Sequence, residues 1–242
     1  VRASVLAATV LLVGGGLLAG PAPQASAADL AGKTVVIDAG HGASANGPLS
    51  RQVPNGRGGT KDCQTSGTST NDGFPEHTFT WDVASLIQAQ LAGLGATTVM
   101  TRHDDTGPAA CVDQRAATAN AAHPDAIVSI HGDGGPASGH GFHVNYSAPP
   151  LNDAQSGAAM RLAAVMRDQL VASGLAPSTY IGSDGLYGRA DLAGLNLADY
   201  PAVLIELGNM RNADDAAAMS SSEGQARYAA AVVKGVEAYL ES

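Results

Sequence analysis

Three apolar runs in this chain end in residues that packing alone does not call for. "VVIDAGH" closes on Asp38 and His41, "AIVSIHGD" on His131 and Asp133, and "AVLIELGN" places Glu206 directly after Val203, Leu204 and Ile205. A carboxylate or imidazole at the end of a buried strand loses several kcal/mol of hydration unless something pairs with it. Parallel strands deliver their C-terminal ends to one edge of a sheet, so three such ends predict a shared site with a cation in it. Glu76, in "FPEHTFTWDVA", stands where a helix pattern begins. An acid there complements the helix dipole, but beside His41 and His131 it also completes a His, Glu, His set. Two imidazoles and one carboxylate with an open fourth position form the donor set of catalytic zinc sites, and one Zn2+ is expected. Such an ion acidifies its bound water and polarises a carbonyl. A base is then needed to take the water's proton and hand it to a leaving nitrogen. Glu206 is the candidate, because apolar surroundings raise a carboxyl pKa toward neutrality. Spacing alone leaves the reverse open, with Glu206 as ligand and Glu76 as base.

The elements that must position these groups follow from periodicity. Short β-branched or aromatic runs at 33–38, 97–101, 126–131, 141–146 and 202–207 predict strands. Helix patterns fall between or after them at 77–94, 112–122, 155–173 and 221–240. In the first, Phe79, Val83, Leu86, Ile87 and Leu94 recur at mostly three- and four-residue steps and Gly95 follows as a stop. Alternating strands and helices predict a single α/β domain: a mostly parallel central sheet with helices on both faces.

Composition narrows the class. Arg2, an apolar and glycine run over 5–19 and then Ala25-Ser26-Ala27-Ala28 predict a cleaved signal peptide over residues 1–28. That apolar core is short for a bilayer span, so no stable membrane anchor is expected. Residues 29–242 are enough for one well-buried core. The formal net charge is −9 without clustering, which argues against nucleic acid or an anionic membrane as partner. In a secreted chain the two cysteines, Cys63 and Cys111, predict a disulfide. It would staple the polar stretch 42–75, a segment too long to be an ordinary loop and read here as an ordered flap over the site. His77, His103, His123, His140 and His143 read as solvated or core histidines.

In their order along the chain, these motifs resemble the zinc-dependent N-acetylmuramoyl-L-alanine amidases of type 3, which act on bacterial cell wall. The resemblance runs through "VVIDAGHG", Glu76 before its helix, "VMTRHDD", "DQRAATAN", "AIVSIHGD" and "PAVLIELGNMRN". It implies that His41, Glu76 and His131 are the metal ligands and Glu206 the catalytic base. Asp38, Arg102, Arg115, Asn120 and Asn212 match recurring positions, read as groups that orient ligands or hold loops. The implied substrate is peptidoglycan or its muropeptide fragments, cut between the lactyl group of N-acetylmuramic acid and L-alanine. The implied setting is secreted, in the periplasm or wall, as a monomer with no obligate protein partner. A zinc peptidase or deacetylase acting on another bond of the wall, or a non-catalytic wall-binding module, are the alternatives. Two departures stand out: Ala43 follows the Gly-His-Gly motif, and Gly132-Asp133 follows His131. The connection at 146–155 is too short for the blocking helix of some relatives, so an accessible site is expected.

Overall fold

The computed structural model describes residues 29–43 and 49–242. The signal segment expected at 1–28 lies outside the described residues. Five strands match the expected runs: β1 (Thr34–Ala39), β4 (Thr97–Met100), β5 (Ala126–Asp133), β6 (His143–Ser147) and β8 (Ala202–Asn209). The four expected helices form as α1 (Glu76–Gly93), α2 (Val112–Ala121), α3 (Ala159–Ala172) and α6 (Ser222–Leu240). Shorter elements complete the set: β2 (Gln52–Pro54), β3 (Thr60–Asp62), β7 (Leu186–Arg189), α4 (Ala193–Asn196) and α5 (Ala213–Met219). Between β6 and α3 a five-residue π-helical turn at Ala154–Ala158 is the only helical insertion.

Six strands form one sheet in the order β4-β1-β5-β8-β6-β7. The first four are mutually parallel, whereas β6 pairs with β8 antiparallel and with β7 in parallel. The sheet is therefore mostly parallel with a reversed pair at one side.

Its two faces are covered unequally. On one, Val35, Ile37, Val128, Ile130, Val203 and Ile205 meet the long helices α1, α3 and α6. Each helix presents an apolar stripe at three- and four-residue spacing: Phe79, Val83, Ile87 and Leu91; Leu162, Met166 and Leu170; Val232, Val236 and Tyr239. These side chains are essentially inaccessible to solvent, so this face carries most of the hydrophobic stabilisation. On the other face, Val36, Ile127 and Ala202 form a smaller buried cluster with Ala119 of α2, Leu195 of α4 and Ala198, edged by half-buried side chains that include Leu192, Tyr200 and Leu204. Small side chains and two short helices leave room, and a cavity of about 350 Å³ opens there beside the strands' C-terminal ends.

The flap crosses this open face. Its β2–β3 hairpin is antiparallel, and Cys63, just past β3, is bonded to Cys111, which caps the start of α2. At the hairpin turn Arg57 donates to Ser147 Oγ at 3.0 Å, Asn196 Oδ1 at 3.1 Å and the Pro149 carbonyl at 2.6 Å. The expected disulfide is present, and residues 49–75 of the expected flap are described, whereas 44–48 lie outside the described residues. The bridge spans 48 residues, and chain-entropy reasoning assigns such a closure on the order of 4 kcal/mol. Replacing both cysteines by serine is expected to lower stability by about that amount, read as the free energy of unfolding extrapolated from denaturant titration, with a steeper slope because the freed denatured chain exposes more surface.

Candidate metal centre and active site

The site begins with a tight approach. β1 runs into Gly40 against β5, and a Cβ on Gly40 would lie 2.3 Å from the His131 ring, so no other residue fits without displacing it. The next residue, His41, takes a left-handed φ of 61°, uncommon for a non-glycine, and this turns its ring toward His131. The two rings meet edge to face with centroids 4.8 Å apart.

Pro75 ends the flap in an extended conformation and Glu76 opens α1. The Glu76 carboxylate lies between the imidazoles: Oε1 is 3.0 Å from His41 Nε2 and 3.0 Å from His131 Nδ1. The Gly132 N–H donates to Oε1 at 3.2 Å, and the Thr68 N–H of the flap donates to Oε2 at 2.8 Å. Burial would raise this carboxyl's pKa, but the two histidines hold it well below the usual carboxylate range. Burial pulls His41 down, yet its bond to Glu76 outweighs this and leaves it raised. For His131 burial wins, and its pKa is lowered.

These three residues fit a metal ion. Their donor atoms lie within 4.8 Å of one another and form the only such cluster among the described residues. His41 Nδ1 donates to the Thr65 carbonyl at 3.0 Å, which assigns its proton to Nδ1 and leaves Nε2 with a lone pair for a cation. Tetrahedral zinc with bonds near 2.0–2.1 Å needs donors roughly 3.3 Å apart, close to the Glu76–histidine separations here.

Glu206 pairs with His131 across β5 and β8 and shares its face of the sheet. It lines the cavity but makes no contact with the three donors of the kind that Glu76 makes. Its Oε2 is buried and has no hydrogen-bond partner. Burial, then the charges of Glu76 and Asp133, push its pKa well above the ordinary value. A raised proton affinity suits a carboxyl that must take up a proton and hand it on, as a general base and acid must. The far end of the cavity is apolar, with Ala116, Ala119, Ile127, Leu195 and Ala198.

The remaining sequence candidates divide by distance from the donors. Asp38 accepts a two-pronged bond from Arg115, at 2.7 and 2.5 Å, and further bonds from Ser129 Oγ and Thr101 Oγ1. This network ties β1, β4, β5 and α2 together just below His41. Arg102 binds the carbonyls of Ala39 and His77 and so braces the chain beside both His41 and Glu76. Asn120 is remote: it holds the turn after α4 through the Leu197 carbonyl, the Asp199 carboxylate and the Asp199 N–H. Asn212 caps α5 by accepting from the N–H groups of Asp214 and Asp215.

The model for a family described as N-acetylmuramoyl-L-alanine amidase matches residues 35–238, from the first valine of β1 to the last turn of α6. The chain belongs to this family. It is 58% identical over 217 residues to an N-acetylmuramoyl-L-alanine amidase of Mycobacterium tuberculosis, covering 90% of each chain. Among solved structures, it resembles the amidase Ami1 of Mycobacterium smegmatis with a TM-score of 0.87 and 55% identity, over 88% of this chain and 99% of that one. Ami1 of Mycobacterium abscessus aligns at a TM-score of 0.86 and 60% identity, over 87% and 99%. The family frame thus coincides with the domain whose strand ends converge on His41, Glu76, His131 and Glu206.

Sequence reasoning missed His143. It is a buried histidine, 1% exposed, as its reading as core or solvated allows, and the missed feature is its register pairing with Glu206 across β6 and β8.

The Asp38–Arg115 pair gives a pH test. Burial would raise the Asp38 pKa, but Arg115 and the two hydroxyls hold it far below the usual carboxylate range. A depressed folded pKa contributes stability that is present above the unfolded value near 4 and is lost as pH falls toward the folded one. Asp38→Asn is expected to cost roughly 3–5 kcal/mol at neutral pH, because Arg115 stays buried and unpaired. Below about pH 4 its stability should fall less steeply than that of the parent, as urea denaturation across pH 2–7 would show.

Proposed function

We propose that this chain is an N-acetylmuramoyl-L-alanine amidase that uses His41, Glu76 and His131 to hold one zinc ion and Glu206 as general base. The observation that carries the reading is the division between the acids: Glu76 sits between the two imidazoles, and Glu206 stands apart with its proton affinity raised. The bond cut joins the lactyl carbonyl of N-acetylmuramic acid to the amine of L-alanine. Peptidoglycan or its muropeptide fragments are the substrate.

Zinc, when bound, supplies an acidified water and a Lewis acid for the substrate carbonyl. Glu206 takes the water's proton and returns it to the departing L-alanine nitrogen, so the same carboxyl is base and then acid. The apolar wall beside it keeps the local dielectric low and strengthens these interactions. Asp38, Arg102 and Arg115 hold the ends of the strands and the first turn of α1 so that the donors stay converged.

Residues 1–28 are proposed as a cleaved export signal, which would place residues 29–242 in the cell envelope or outside the cell. The Cys63–Cys111 bridge supports this, because disulfides persist in oxidising compartments. Among the described residues no helix is long and apolar enough to cross a membrane.

The test is mass spectrometry of a defined muropeptide. The parent protein should release an intact stem peptide with a free L-alanine amine, and Glu206→Gln should be slower by about 10²–10⁴-fold. A cut elsewhere would reassign the chain to a peptidase or deacetylase. Stripping metal with a chelator should abolish the cut, one equivalent of zinc should restore it, and His41→Ala should fail to retain that equivalent.

A further inference from the structure

His131, Glu206 and His143 occupy one line across the sheet. Glu206 of β8 is in register with His131 of β5 on one side and with His143 of antiparallel β6 on the other. Directly opposite residues point to the same face with Cβ atoms about 4.5–5.5 Å apart, so the His143 imidazole and Glu206 leave the sheet as neighbours, with His143 on the strand away from His131. Two tyrosines hold that ring edge to face, Tyr180 with centroids 6.4 Å apart and Tyr187 at 6.2 Å. Tyr180 is itself anchored, donating from its hydroxyl to Asp133 Oδ2 at 2.8 Å. The ring is buried and fixed, yet its Nδ1 has no hydrogen-bond partner, and neither has Oε2 of Glu206. A buried polar atom left without a partner is costly, so two of them on paired residues need an account.

We propose that His143 is a positioning residue for Glu206, its Nδ1–H bonding Oε2 of the carboxyl so that the other oxygen is left to face the water and the leaving nitrogen. The inference rests on the amidase reading of Glu206. Desolvation, only partly offset by Asp133, pushes the His143 pKa down to about 4, so the ring is neutral at working pH and offers one donor without adding charge. Bonds of this kind are often unformed without substrate and tighten in the reactive complex. The bond splits the duties of the two oxygens: one is held and the other carries the proton.

The test compares His143→Asn with His143→Gln in zinc-loaded protein acting on a defined muropeptide. Asparagine keeps a hydrogen-bonding atom at the Nδ1 position; glutamine places its amide near Nε2 instead. The Gln variant should lose kcat by about 100-fold, as misplacement of a reacting group by about 1 Å does, with KM within about twofold. The Asn variant should recover most of that loss, and both should bind one zinc with melting temperatures alike. In a Glu206→Gln background, His143→Gln should add less than about twofold, because residues acting as a unit are not additive. Equal activity of the Asn and Gln variants, a loss confined to KM, or full additivity with Glu206→Gln would overturn the role of His143 and leave the amidase reading intact. If the parent cuts no muropeptide while holding zinc, the amidase reading falls and this inference with it.

Discussion

One buried charge organises this molecule. The Glu76 carboxylate is out of water, and it is held there by His41 Nε2, His131 Nδ1 and two backbone N–H groups. Those partners come from three places in the chain: the turn after β1, strand β5 at His131 and Gly132, and the flap. An ionised carboxylate removed from water is tolerated only when every lone pair is answered, so these three segments must arrive together at the start of α1. The left-handed backbone at His41 and the glycine at position 40 are the local costs of that convergence. The Asp38–Arg115 network and Arg102 lie just beneath and keep the same segments from separating.

The unequal coverage of the sheet explains why the site lies where it does. Three long helices seal one face with large aliphatic and aromatic side chains, and this is where stability resides. The other face is left to α2, α4 and a stapled polar hairpin, so a cavity remains beside the ends of the strands. Ligands in open α/β sheets bind at such ends. Here the same cavity combines a polar end, with three donors and Glu206, and an apolar end that desolvates it.

Much of this was legible in the sequence, and for reasons that can be named. Buried parallel strands read as apolar runs, so the ends at Asp38, His131 and Glu206 stood out against them. The long helices showed their stripes at three- and four-residue spacing. The hairpin at β2 and β3 did not show, because "QVP" and "TKD" lack an alternating apolar face and are set by the disulfide and by Arg57. Strand direction did not show either: periodicity gives the faces of β6 but not its sense, so the reversed pairing with β8 was invisible. That reversal is what brings His143 opposite Glu206. The alternation Phe142, His143, Val144, Asn145 did place His143 on the polar face of its strand, and this was the one signal pointing to it. Asn120 and Asn212 matched recurring positions and serve turns and caps, which a motif alone does not distinguish from chemistry.

The account stands on the division of labour between Glu76 and Glu206, and the bound metal can be asked about it directly. X-ray absorption at the zinc edge, together with an anomalous map of zinc-loaded crystals, would count the donors. The account predicts one ion with two imidazole nitrogens at about 2.0–2.1 Å and the Glu76 oxygen at about 2.0–2.2 Å, with Glu206 outside bonding distance. Zinc bonded to Glu206, or no zinc held among His41, Glu76 and His131, would contradict it.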